Sequence, residues 1–215
     1  MVNPNYDAIA TETKRLLIEA YWDDVAERVE YLDELVRRGR FTEALTLCAT
    51  YVDGLAGVLG APGTKNGPAF CAALRAHEPS PYFALIHPLQ AIRETGSMGG
   101  TWPVISSRLS SVFPGPDYQL LSEEDFTAAV RGSLTPVELA ELVPELWRAS
   151  LGGIAYYWIR NPAVHELGRA STIDFSTSFF HGKAVASMSL PEFMPVLRRM
   201  IAAARTNSHA RGSWP

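Results

Sequence analysis

The sequence predicts a mainly α protein, an up-and-down helical bundle with one β-hairpin before the C-terminal helix. Long stretches repeat apolar residues at three- and four-residue steps, which is the helical period, whereas strict alternation is confined to one late stretch. With 215 residues, 47% of them hydrophobic and 20% charged, the chain can bury a core of its own. We therefore expect a single domain over residues 1–215.

Two helices are predicted at the start of the chain. The first covers 7–38, where Gly39 is expected to stop it behind a basic pair that suits the negative end of a helix. The second covers 41–59, and the glycines and proline of 60–63 end it.

Residues 61–120 are predicted to form an irregular insert, because proline, glycine and serine punctuate them throughout. Within it, apolar periodicity predicts short helices at 67–77, 82–94 and 103–112. The glycine-rich residues 95–100 are expected to be a flexible loop. No Gly-Lys-Ser/Thr follows them and no strand precedes them, as a phosphate-binding loop would require.

Helix-start signals mark the second half. Ser122 is an expected N-cap, and Thr135-Pro136-Val137-Glu138 has the form of a capping box. One long helix is predicted from there to Ile159, bent near Pro144. Alternation over 172–179 and 184–188 predicts the hairpin; a last helix follows Ser189, and 206–215 are expected to be frayed.

The candidate site is the stretch Arg160-Asn161-Pro162-Ala163-Val164-His165-Glu166. Arginine can hold a phosphate, an amide can orient a neighbour, and imidazole can move a proton near neutral pH. In a straight helix, side chains five positions apart point about 140° away from each other. Pro162 should break the helix after Arg160, which could let Arg160 and His165 face one site.

This stretch resembles the signature of the HEPN superfamily, helical domains that often act as metal-independent ribonucleases. The resemblance rests on Arg160, Asn161 and His165, on the aromatic run at 155–159 before them, and on Glu166 after the histidine. It implies a homodimer whose two motifs form one cleft, and an endoribonuclease of toxin–antitoxin or phage-defence type. An antitoxin or another regulatory protein is then an expected partner.

In this interpretation Arg160, Asn161 and His165 are catalytic, while Tyr157, Glu166 and Arg169 contact the RNA substrate. Simpler roles remain open. Arg160 could cap a helix, His165 could be a packed histidine, Asn161 could form a turn beside proline, and Tyr157 could belong to the core or an interface. The alternatives at the level of function are a non-catalytic module that binds nucleotide or a partner protein, and a helical scaffold with an accidental motif.

The charge distribution is compatible with a phosphate site near the motif. Residues 160–215 hold seven lysines and arginines against three acids, whereas the whole chain carries −4. The basic portion therefore begins at Arg160, although an uneven spread of charge can also arise by chance.

Other features exclude some classes of protein. No apolar run approaches a membrane span, and residues 1–17 lack the pattern of a secretory signal. Cys48 and Cys71 show no metal or disulfide spacing, which favours a reduced cytoplasm with both packed as small apolar residues. No second histidine follows His165 at the spacing that zinc sites use, so no metal is expected. No cofactor is expected either.

Overall fold

The protein is mainly α-helical, as predicted. The computed structural model describes residues 4–60, 66–78, 80–114, 119–160, 178–180, 183–185 and 190–213. The helices are α1 (Pro4–Arg37), α2 (Phe41–Leu59), α3 (Asn66–His77), α4 (Pro88–Ser97), α5 (Trp102–Val112), α6 (Glu123–Val130), α7 (Pro136–Leu142), α8 (Leu151–Ala155) and α9 (Leu190–Arg211). Two 3₁₀ segments lie at Pro81–Ala84 and Val143–Ala149, and a π-helical turn lies at Tyr156–Arg160.

Two short strands precede α9, in the region where the alternating pattern lies. β1 (Ser178–Phe180) and β2 (Lys183–Val185) pair antiparallel, with Phe179 opposite Ala184. No described helix is long and apolar enough to cross a membrane.

Helix α2 is the centre of the first hydrophobic core. Its buried residues follow the helical period and are mostly small: Ala44, Leu45, Cys48, Ala49, Val52, Leu55 and Ala56. Small side chains let neighbouring helices approach closely, and α2 contacts α1, α3, α9 and the π-helical turn. Cys48 and Cys71 are both buried and unbridged in this core, and burial raises the pKa of each thiol to about 12.

A second hydrophobic core lies among α4, α5, α6, α7 and the second 3₁₀ segment. Its largest fully buried residues include Phe126, Ile105 and Leu109. The two cores meet at an extended segment around Ile86, which bridges both Leu121 and Ser150. This segment also interrupts the helix predicted at 82–94, which is instead a 3₁₀ turn followed by α4.

Several local signals behave as the sequence predicts. Gly39 ends α1 with a φ of +72°, where its N–H and that of Arg40 donate to the carbonyls of Val36 and Leu35, a Schellman closure. Thr135 and Glu138 form the reciprocal capping box. Ser122 caps α6 by accepting from the N–H of Asp125.

The prediction of one long helix from 135 to 159 is wrong. Ser150 is extended, with φ −71° and ψ 156°. Around it, the N–H of His87 donates to the carbonyl of Ala149, and the N–H of Leu151 donates to that of Leu85. Pairing with a distant segment thus takes backbone groups that a continuous helix would use, and the chain restarts as α8 under a Ser150 cap.

Two stretches predicted to be irregular are partly helical. In the stretch 95–100, Thr95 is buried and α4 continues to Ser97, where it packs on α5, and only 98–100 form a bend and turn. At the C-terminus α9 continues to Arg211, because Ser208 is buried and Arg205 pairs with Glu19 of α1 at 2.5 Å.

We predict that Gly153→Ala destabilises the protein by at least about 2 kcal/mol, a typical cost of overpacking. A Cβ at Gly153 would overlap the carbonyl oxygen of Trp147 and lie 2.9 Å from that of Arg148. Gly57→Ala is the matched control, since a Cβ there meets nothing within 4 Å on an exposed part of α2. It should stabilise by about 0.5–1 kcal/mol through helix propensity. Urea unfolding of both variants tests this. If the Gly153→Ala and Gly57→Ala variants were equally stable, the close approach of the Trp147 and Arg148 carbonyls to Gly153 would be contradicted.

Candidate functional site

Arg160 is the motif residue that the structure describes most fully. It is the last residue of the π-helical turn, and its side chain is only 12% exposed. Its Nε and Nη2 atoms donate to the same carboxylate oxygen of Asp53, at 3.0 and 2.7 Å. The guanidinium carbon lies 5.2 Å from the centre of the Tyr156 ring. Arg160 therefore reaches across to α2, whereas an arginine that caps a helix would bond the carbonyls of its own helix.

Asp53 is a site residue that sequence reasoning missed. It lies 107 positions before Arg160, and its side chain is 19% exposed. One signal was available: Asp53 is the sole charged residue between Glu43 and Lys65, in the middle of a mostly apolar helix. A charge in such a place calls for a partner, because burying it unpaired is costly.

The π-helical turn explains how Arg160 and its aromatic neighbours are presented. Tyr156 is buried, with its ring 5.5 Å from that of Phe70 in α3. Ile159 is also buried in the first core. Turns of this kind insert an extra residue into a helix and often occur at functional sites. Tyr156 and Ile159 therefore pack inside the chain.

Tyr157, predicted to contact substrate, lies in an open cavity of about 490 Å³. The cavity is lined by Tyr156, Tyr157, Trp147, Arg148 and the first residues of α3. The rings of Trp147 and Tyr157 are stacked, with centres 5.9 Å apart and planes at 23°. The position of Tyr157 is thus compatible with both roles weighed from the sequence, a packing residue and a ligand contact.

Arg148 contacts two of the aromatic residues that line this cavity, and the sequence alone did not single it out. Its Nε donates to Glu145 at 2.6 Å, and its Nη1 donates to the hydroxyl of Tyr157 at 2.7 Å. Its guanidinium lies 4.8 Å from the centre of the Trp147 ring. A cation held by a carboxylate, a phenol and an indole face has little freedom to rotate.

The tyrosines are poor candidates for proton transfer at neutral pH. Burial raises the pKa of both Tyr156 and Tyr157 above the ordinary value, and the neighbouring arginines only partly oppose this. Both hydroxyls therefore stay protonated, and their contribution is contact and orientation. A raised pKa makes either tyrosine a poor general base.

The remaining predicted site residues lie outside the described part of the chain. These residues are Asn161, His165, Glu166 and Arg169. The structure therefore places Arg160 and Tyr157, both of which contact Tyr156. In the described ranges, no group of three or more histidine, cysteine, aspartate or glutamate side chains could hold a metal ion.

We predict that Asp53→Asn lowers the free energy of unfolding by about 1–3 kcal/mol, because it removes the charged acceptor that Arg160 contacts on α2. Asp33→Asn is the matched control: its partner Arg198 is 55% exposed, and such pairs contribute only about 0–1 kcal/mol. A double-mutant cycle with Arg160→Gln isolates the pair energy. A coupling near zero would contradict an anchoring role for this pair.

Comparison with known proteins adds no assignment: no family model matches the chain, and no curated protein or solved structure matches it significantly.

Proposed function

We propose that the protein is a metal-independent endoribonuclease of toxin–antitoxin or phage-defence type. The observation that carries the proposal is the state of Arg160: the motif arginine is held in one orientation by Asp53, next to a cavity lined with aromatic rings. A fixed cation beside a surface suited to flat groups fits the binding of a nucleic acid strand.

The reaction uses the ribose itself as the nucleophile. The 2′-oxygen attacks the adjacent phosphorus as its proton passes to a base, and the P–O5′ bond breaks as the 5′-oxygen takes up a proton. In this proposal His165 moves the proton, Arg160 stabilises the charge that develops on the phosphate, and Asn161 orients one of them. Glu166, Arg169 and Tyr157 contact the rest of the substrate.

The Asp53 contact is compatible with a phosphate-binding role for Arg160. Asp53 holds the guanidinium by its Nε and Nη2 atoms, along one edge. Such an anchor fixes the side chain before substrate arrives, so that little conformational entropy is lost on binding. It also lowers the local positive charge, which weakens attraction to the ground-state phosphate.

That same balance of charge favours the second candidate, a non-catalytic module that binds nucleotide or a partner protein. With Asp53 as a full counter-charge, Arg160 has a sufficient structural reason to be present. The two candidates differ in chemistry, so product analysis separates them.

We predict that purified protein cleaves RNA in the presence of EDTA, leaving a 2′,3′-cyclic phosphate and a 5′-hydroxyl. An RNA with a single 2′-deoxy nucleotide should resist cleavage at that position. Mass spectrometry of the fragments reads both. Products with a 5′-phosphate, or activity lost to the chelator, would rule out this mechanism.

His165→Ala and Arg160→Ala should each reduce cleavage by about 10²–10⁴-fold, the usual contribution of general acid–base groups, with Asn161→Ala losing less. Arg198→Ala is the matched control, since Arg198 is an exposed arginine of α9. Circular dichroism should show all four variants folded. If His165→Ala unfolds the protein while cleavage per folded molecule stays constant, His165 is a packing residue.

We also predict that the active unit is a two-fold homodimer. One motif supplies one arginine and one histidine, and a two-fold axis supplies two of each. Mass measurement in solution should show a dimer at micromolar concentration, and co-purified Arg160→Ala/His165→Ala mixed dimers should keep partial activity. A fully active monomer would contradict the composite cleft.

A further inference from the structure

The cavity beside the π-helical turn has the composition of a ligand site. It is a shallow depression open to solvent, with a volume of about 490 Å³. Three aromatic rings line it, those of Trp147, Tyr156 and Tyr157. The exposed amide residue Asn66 stands at its edge, where α3 begins. Flat apolar surface is therefore combined with groups able to form hydrogen bonds.

The charges around the cavity select against an anion. Arg148 is paired with Glu145, and Glu94 lies close enough to Arg148 to interact with it electrostatically. Burial raises the pKa of Glu94. A phosphate placed here would meet an arginine whose charge is already paired with Glu145.

A neutral, flat and polar group fits the same surroundings. Among the described residues, no hydrogen bond uses the Nη2 atom of Arg148, whose side chain is 31% exposed. This atom can donate to a carbonyl or ring nitrogen, as can the amide of Asn66. Aromatic side chains that line such a surface can stack on a base.

We infer that this cavity is a nucleobase subsite, which holds a base of the RNA strand next to the phosphate at Arg160. The link between them is Tyr156, whose ring faces the Arg160 guanidinium and also lines the cavity. The identification of the base as part of an RNA substrate rests on the proposed function. The stacking surface itself rests only on the geometry of Trp147, Tyr157 and Arg148.

The test uses a fluorescein-labelled 2′-O-methyl RNA of mixed sequence, about eight nucleotides long, which cannot be cleaved through its 2′-oxygen. Binding is measured by fluorescence anisotropy. Tyr157→Leu should weaken binding by about five- to 150-fold, the loss expected for one stacked base. Tyr157→Phe keeps the ring and should lose much less. Tyr31→Leu is the matched control, since Tyr31 is exposed on α1.

A second measurement does not depend on any variant folding. The wild-type protein is titrated with an abasic 2′-O-methyl strand of the same length and charge. Base recognition requires that this strand bind at least several-fold more weakly than the strand with bases. Equal affinity of the two strands would overturn the subsite, because binding would then come from the backbone alone. Unchanged binding by folded Tyr157→Leu would overturn it as well.

Cleavage of the matching unmodified RNA separates the two proposals. If the strand with bases binds through Tyr157 and no cleavage occurs, the subsite stands and the ribonuclease proposal fails. If the RNA is cleaved but Tyr157→Leu changes neither the affinity nor the cleavage rate, the subsite fails and the ribonuclease proposal stands.

Discussion

The close packing of α2 is the constraint on which the first core depends. Its buried face is built mostly from alanine, cysteine and valine, so α1, α3 and α9 can approach it closely. A helix buried on this scale offers few places for a charge. Asp53 occupies one of them, at the point where the π-helical turn crosses α2. The ion pair with Arg160 is thus a consequence of the packing and also the link that holds the motif's first residue to the core.

A second constraint joins the two halves of the molecule. The short extended segment at Ile86 exchanges backbone hydrogen bonds with Leu121 and bridges Ser150. These bonds break what would have been one long helix, and the break sets the start of α8. Because α8 is only five residues long and runs directly into the π-helical turn, the position of Ser150 also fixes the position of Arg160. The site is therefore tied to both hydrophobic cores.

Both described arginines near the site are neutralised before any ligand is present. Arg160 is paired with Asp53 and Arg148 with Glu145, and each guanidinium also lies near an aromatic ring. Pairing weakens the long-range attraction of each arginine for an anion, and it fixes the orientation of the guanidinium group. It is compatible with an acidic chain that carries −4, because a net negative charge does not attract nucleic acid at long range. If this site binds a nucleic acid, binding would depend on shape, aromatic stacking and the placement of hydrogen-bond donors more than on net charge.

Local chemistry was enough to predict the helical class, the C-terminal ends of α1 and α2 and the capping box at Thr135. Each of these depends on neighbours within a few positions, whose preferences the sequence displays directly. The break at Ser150 and the packed end of α4 could not be predicted, because each depends on contacts with a segment far away in the chain. The role of Asp53 could not be predicted either, because no neighbouring residue indicates that its partner lies 107 positions later. Only the tertiary structure brings that carboxylate to the guanidinium, because the packing of α2 against the π-helical turn decides which charge Arg160 meets.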